Sequence, residues 1–120
     1  MKYLLTLIVM MVSISTAAST PKLPIASGQY TFRHQFSEQP GLPSIMLTAK
    51  INGRHIVLIN ETESKVFPKG ILDEGTLMWH ADSKQWIVGH DKSDRYLEDV
   101  GGCSDGPSVV DLKNRIYWTC

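Results

Sequence analysis

Four histidines, a serine set among glycines and two cysteines are the residues of this chain whose types suit acid–base, nucleophilic or thiol chemistry. The histidines are His34, His55, His80 and His90, each ten residues or more from the next. A metal site built on strands wants a His-x-His pair on one face, and none occurs. Asp91, Asp94, Glu98 and Asp99 offer oxygen ligands beside His90, but they do not fit the calcium loop of an EF-hand. No metal and no cofactor is therefore expected. General acid–base hydrolysis by a histidine wants a carboxylate within reach to orient it. The candidates are His34, which takes an apolar slot in the Tyr30-Phe32-Phe36 face with Arg33 and Glu38 nearby, and His80. Against them stands the ordinary role of a strand histidine, which is to hydrogen-bond a neighbour and do nothing more.

The stretch Gly101-Gly102-Cys103-Ser104-Asp105-Gly106-Pro107 is similar to the Gly-Asp-Ser-Gly-Gly-Pro segment of chymotrypsin-like proteases, with the order scrambled. In that family the serine follows the aspartate and precedes two glycines. Here Ser104 precedes Asp105, and no base or orienting residue is placed for it. The segment reads as a tight turn carrying a bridge. Cys103 and Cys120 are the only cysteines, with no C-x-x-C spacing, and they are expected to form one disulfide. Closing that loop should stabilise the fold by roughly 3 kcal/mol and pin the last strand.

Met1-Lys2, the apolar run Leu4 to Val12 and the small residues Ser13 to Ala18 follow the order of a secretory signal peptide. Cleavage is expected after Ala18, leaving an exported chain, periplasmic if bacterial and otherwise extracellular. The later apolar-dense stretch, Ile45 to Ile59, contains Lys50, Arg54 and His55, so no membrane anchor is expected. Residues 19–120 carry 11 basic and 12 acidic side chains. That near-neutral total gives no electrostatic case for nucleic acid, whose phosphates reward a basic face. Asn60-Glu61-Thr62 is a glycosylation sequon.

The elements that must position these residues are strands. Residues 19–120 contain 20 Val, Ile and Thr but only three Ala, a balance that suits pleated sheet. Residues 19–28 form an extended arm, and Gln29 to Phe36 alternates aromatics with polar residues as a half-buried strand. Three hairpins follow. The first spans Ile45 to Asn60 and turns at Asn52-Gly53, with Ile45, Leu47, Ala49, Ile51, Ile56 and Leu58 on the core face. Its register sets Lys50 opposite His55. The second, Thr76 to Gly89, pairs Trp79 with Trp86 and Leu77 with Val88. The third, Ser108 to Cys120, turns around Leu112-Lys113-Asn114 with Asn114 left-handed. Between the last two, Ser93 is placed to cap a short helix ended by Gly101. Seven or so strands joined by local hairpins predict an all-β domain over 19–120, a small antiparallel sandwich or barrel.

The aromatic set Trp79, Trp86, Tyr117 and Trp118, together with His80, supplies the candidate binding residues. Tyr117 and Trp118 must point to opposite faces of their strand, so one of them leaves the main core. Size, export and the lack of a catalytic constellation favour a small binding or inhibitory module acting on a protein partner by surface contact. Periplasmic lysozyme inhibitors and immunity proteins share that build. Ser27-Gly28-Gln29-Tyr30 is similar to the Ser-Gly-x-x-Tyr stretch of one such inhibitor family, one residue too short, and no family is assigned. The alternatives are a small secreted hydrolase using His34 or His80 with a carboxylate, and an envelope subunit that joins another chain through an edge strand.

Overall fold

A computed structural model describes residues 20–120 apart from residue 66; the expected signal peptide, 1–18, lies outside them. Seven strands follow in order: β1 (Gly28–Phe36), β2 (Met46–Asn52), β3 (His55–Asn60), β4 (Gly70–His80), β5 (Gln85–Gly89), β6 (Val109–Asp111) and β7 (Ile116–Thr119). Each pairs with the next, and β7 returns to β1, so the sheet closes into a barrel. Strand direction alternates along a meander, so with an odd number the closing pair must be parallel. It is: Arg33 to Phe36 run alongside Ile116 to Thr119. Closure decides between sandwich and barrel in favour of the barrel, and it removes the aggregation-prone edges of an open sheet.

The period-two pattern fills the interior. Phe32, Leu47, Ala49, Ile51, Ile56, Leu58, Leu77, Trp86, Val88, Val110, Leu112 and Tyr117 form one buried cluster, with Leu23 and Ile25 of the arm packed against it. A smaller cluster of Met78, Ile87 and Val109 lies on the other side of the sheet, against Val100 and Trp118. This wall is apolar on both faces, which explains the unbroken runs Leu77-Met78-Trp79 and Trp86-Ile87-Val88. β4 and β5 also press together closely. A Cβ added at Gly75 would lie 2.3 Å from the Gly89 carbonyl oxygen, so the position admits no side chain without movement of the backbone.

The second hairpin has the expected register, with Trp79 opposite Trp86 and Leu77 opposite Val88. The other two differ at their turns. In the first, Asn52 pairs with His55 and the turn is Gly53-Arg54, one residue later than expected. Gly53 takes the left-handed φ of 60°, which suits a turn that demands glycine at its first central position. The core face is unchanged, because the shift moves the pairing by two residues in sum. His55 no longer faces Lys50, however; it meets Glu74 across β4 at 3.1 Å. In the third hairpin the left-handed residue is Arg115, at φ 57°, and not Asn114. Asn114 instead serves the loop, donating to the Asp111 carboxylate through both its backbone and side-chain nitrogens.

Between β5 and β6 the helical segment is a 3-10 turn, Lys92–Tyr96, capped by Asp91 where Ser93 was expected and ended at Leu97, short of Gly101. Asp91 accepts from the Ser93 amide while Asp94 accepts back from the Asp91 amide, a reciprocal capping box. Asn60 is buried, and its side-chain nitrogen donates to the Pro68 and Phe67 carbonyls, so the sequon asparagine is turned inward and committed.

Candidate functional site

The meander sends alternate connections to opposite ends of the barrel. One end, the arm end, gathers the arm with the β2–β3, β4–β5 and β6–β7 turns. The far end gathers the three longer loops and the disulfide. At the arm end Ser27 Oγ accepts from the Gly53 amide at 2.8 Å, and Leu23 and Ile25 cover the core. The arm therefore closes this mouth of the barrel.

Beside the arm lies a groove of about 580 Å³. Its lining includes Pro21, Pro24, Trp79, Trp86 and Trp118, with Lys22, Lys84 and Lys113 among its polar members. The chain has three tryptophans, and all of them line this groove. Their placement follows from strand geometry. Trp79 and Trp86 are a cross-strand pair meeting edge to face at 5.4 Å. On β7, Tyr117 faces the core, so Trp118 must face out, half-buried against the second cluster. Of the five candidate binding residues, the structure brings Trp79, Trp86 and Trp118 together. Tyr117 and His80 are buried elsewhere.

Charge is unevenly divided among the connections. The arm and turns at the arm end hold Lys22, Arg54, Lys84, Lys113 and Arg115 against Asp82. Arg54 lies over the Trp86 ring at 5.9 Å and Arg115 over Tyr30 at 4.8 Å. The far-end loops hold Glu38, Glu61, Glu63, Asp91, Asp94, Glu98, Asp99 and Asp105 against Lys65, Lys69, Lys92 and Arg95. A near-zero total thus conceals an uneven spread of charge among the connections, although the β5–β6 loop folds back along the barrel, setting Leu97 against His80 and Arg95 beside Thr20 and Arg54. The lysines of the groove were missed in the sequence because charge was summed over the chain and not counted turn by turn.

His34 is fully buried, 2.6 Å from Thr119 Oγ1 through Nε2, with Phe36 and Phe67 edge-on at 4.6 Å. Its Nδ1 is buried without a partner among the described residues, and burial pushes its pKa below the ordinary histidine value. Glu38 sits on the exposed loop after β1, bonded to no histidine. His80 is buried too. Its Nε2 lies 2.5 Å from the Leu97 carbonyl, which can only accept, so Nε2 carries the proton and Nδ1 accepts from Ser83. Neither His34 nor His80 meets a carboxylate. Ser104 is tied into its own turn, donating to the Gly101 carbonyl and accepting from the Gly106 amide.

The closest approach of a histidine to a carboxylate is at His90, whose Nε2 lies 2.6 Å from Asp73 Oδ1. The other Asp73 oxygen accepts the Tyr117 phenol at 2.7 Å, and Ser108 Oγ lies 3.2 Å from the same phenol. Burial, reinforced by the Asp73 charge, pushes the Tyr117 pKa well above its ordinary value. A bulge makes this possible. Leu58 pairs with Asp73 but Ile59 with Ile71, so Leu72 is an extra residue, and Leu72 and Asp73 both serve the interior. Nothing in the sequence marks that bulge.

Among the described residues no three His, Cys, Asp or Glu side chains are placed to hold a metal ion, and no helix is long and apolar enough to cross a membrane. The Cys103–Cys120 disulfide is formed, tying the β5–β6 loop to the end of β7, and a disulfide is compatible with export. Fold and groove together define a closed seven-stranded meander barrel with an aromatic, basic rim. Comparison of the chain with models of known families, with curated proteins and with solved structures finds no match.

Proposed function

We propose that this chain is an exported binding module, inhibitor- or immunity-like, that acts by surface contact with a protein partner and uses no cofactor. The observation that carries this reading is the convergence of all three tryptophans on one groove. Tryptophan is the residue most enriched among the anchors that dominate protein–protein affinity. The groove's volume is within the range of specific binding sites, and its walls are short turns on a closed, disulfide-stapled sheet, so little order must be gained on binding.

The test is capture of partners by oxidised residues 19–120 from an extract of the source, run in parallel with Trp118→Ala. Trp118 is half-buried on the outer face, so its removal spares the main core. A stoichiometric protein retained by the parent chain and released at least tenfold faster by the variant supports the reading. Retention indifferent to Trp118 removes the groove from it.

One observation favours a hydrolase as the second reading: the His90–Asp73 pair, with Ser108 and Tyr117 behind it. Hydrolytic turnover by the purified chain that disappears in His90→Gln at unchanged Tm is the result that would establish it. An assembly role through a free strand edge has no comparable observation, since β1 and β7 pair to close the ring.

A further inference from the structure

The groove's chemistry says what kind of segment fits it. Lys22, Lys84 and Lys113 are exposed at its border, and none has an acidic side chain within 4.0 Å among the described residues. The one carboxylate in the lining, Asp111, is turned back on its own loop. Burial alone would push its carboxyl up, but donors from Asn114 and Lys113 outweigh it and hold the group below its ordinary value. Three ammonium groups, none within 4.0 Å of a carboxylate although the Lys113 charge also acts on Asp111, therefore stand around a groove lined by Trp79 and Trp118. Resting on the binding reading above, we infer that the occupant is an acidic segment of the protein partner. Its carboxylates meet Lys22, Lys84 and Lys113, and an apolar side chain between them packs against Trp79 and Trp118.

The small number of cations favours a short acidic segment over a long polyanion. A nucleic acid or sulfated polymer spreads its charge over many residues and wants a correspondingly extended basic face. A peptide loop can present a few carboxylates to this rim alone.

The probe is a synthetic peptide, capped at both ends, in which glutamates flank a Leu-Phe pair; the control replaces every Glu with Gln. Binding is read from tryptophan fluorescence and calorimetry on oxidised residues 19–120. The acidic peptide should bind about tenfold tighter than the control at low salt, and the preference should shrink as salt rises. Lys84→Glu with Lys113→Glu should abolish the preference, while Lys65→Glu with Lys69→Glu at the far end should leave it. Equal affinity for both peptides, or binding of neither, overturns the acidic occupant. Loss of the preference in the far-end variant also overturns it. Tighter binding of a single-stranded oligonucleotide, abolished by the same arm-end lysine variant, overturns the peptide in favour of a phosphate polymer. Each of these results is separate from Trp118-dependent capture, which tests the binding reading by itself.

Discussion

The two ends of the barrel solve the same problem, closing an open mouth, with different materials. At the arm end a strap of chain lays Leu23 and Ile25 on the core, and the sheet turns back through short loops. At the far end the loops are long, and they are held by specific polar links and a covalent bond. Tyr117 on β7 reaches Asp73 on β4 across the interior, Asn60 holds the Phe67 and Pro68 carbonyls, and Cys103 is bonded to Cys120. Apolar packing leaves surface lysines free to serve a partner. Polar stapling commits Tyr117, Asp73, Asn60 and both cysteines, side chains that could otherwise do chemistry, to holding the loops.

This contrast predicts that breaking the far end costs stability without touching binding. The largest effect is expected for Cys103→Ser. Opening a 17-residue closure should cost about 3 kcal/mol. For a domain of this size that is a fall of roughly 10–20 °C in Tm. Groove affinity per folded molecule should not change. A variant of unchanged Tm that has lost its partner would show that the far end, and not the arm end, makes the contact.

Next in size is Tyr117→Phe. It strips a phenol donor from the Asp73 carboxylate, whose side chain is 10% exposed, and a hydrogen bond to a buried charge is worth roughly 2 kcal/mol. His90 and the Glu74 amide still donate to the other oxygen, so the carboxylate stays partly satisfied. The urea midpoint should drop with no change in slope; an unmoved midpoint means that the strut across the barrel carries no stability.

On the arm side, Leu23→Ala should cost about 1 kcal/mol, since the side chain is only half-buried. Here the informative reading is local. Hydrogen exchange at the Gly53 amide, which the arm's Ser27 protects, should accelerate. If it does not, the arm is not what closes that mouth.

Much of this architecture is legible in the sequence because it rests on period two. The Tyr30-Phe32-His34 face, the Trp79–Trp86 pair and the Cys103–Cys120 bridge follow from alternation and spacing. What escaped depends on irregularity. The first half of β4, Gly70 to Gly75, shows no alternation, because the Leu72 bulge turns two consecutive side chains inward. That bulge also aims Asp73 at Tyr117 and His90, so the polar link at the far end was invisible for the same reason. The arm-end groove was half legible. Its tryptophans stood out, but its lysines lie in turns whose common end appears only once the hairpins are stacked in order. Turn positions came out one residue off in two hairpins: the first turns at Gly53-Arg54 in place of Asn52-Gly53, and in the third Arg115 took the left-handed φ expected of Asn114.

His34 separates burial from catalysis, and its expected effect on stability is confined to a narrow pH range. Its folded pKa lies below the ordinary 6.5 because burial disfavours the imidazolium. As the pH falls through that value the unfolded chain takes up a proton that the folded chain refuses, so the unfolded state binds more protons and stability must fall with pH. The loss continues down to the folded pKa and then stops, at no more than about 1.4 kcal/mol per pH unit from this one group. Above about pH 7 the group contributes no slope at all. His34→Leu should flatten this dependence, and it also removes the partnerless Nδ1 at the cost of the bond to Thr119. Chemical denaturation of both chains between pH 5 and 8 measures the difference directly. Parallel curves would show that the buried imidazole of His34 does not govern the acid limb of stability.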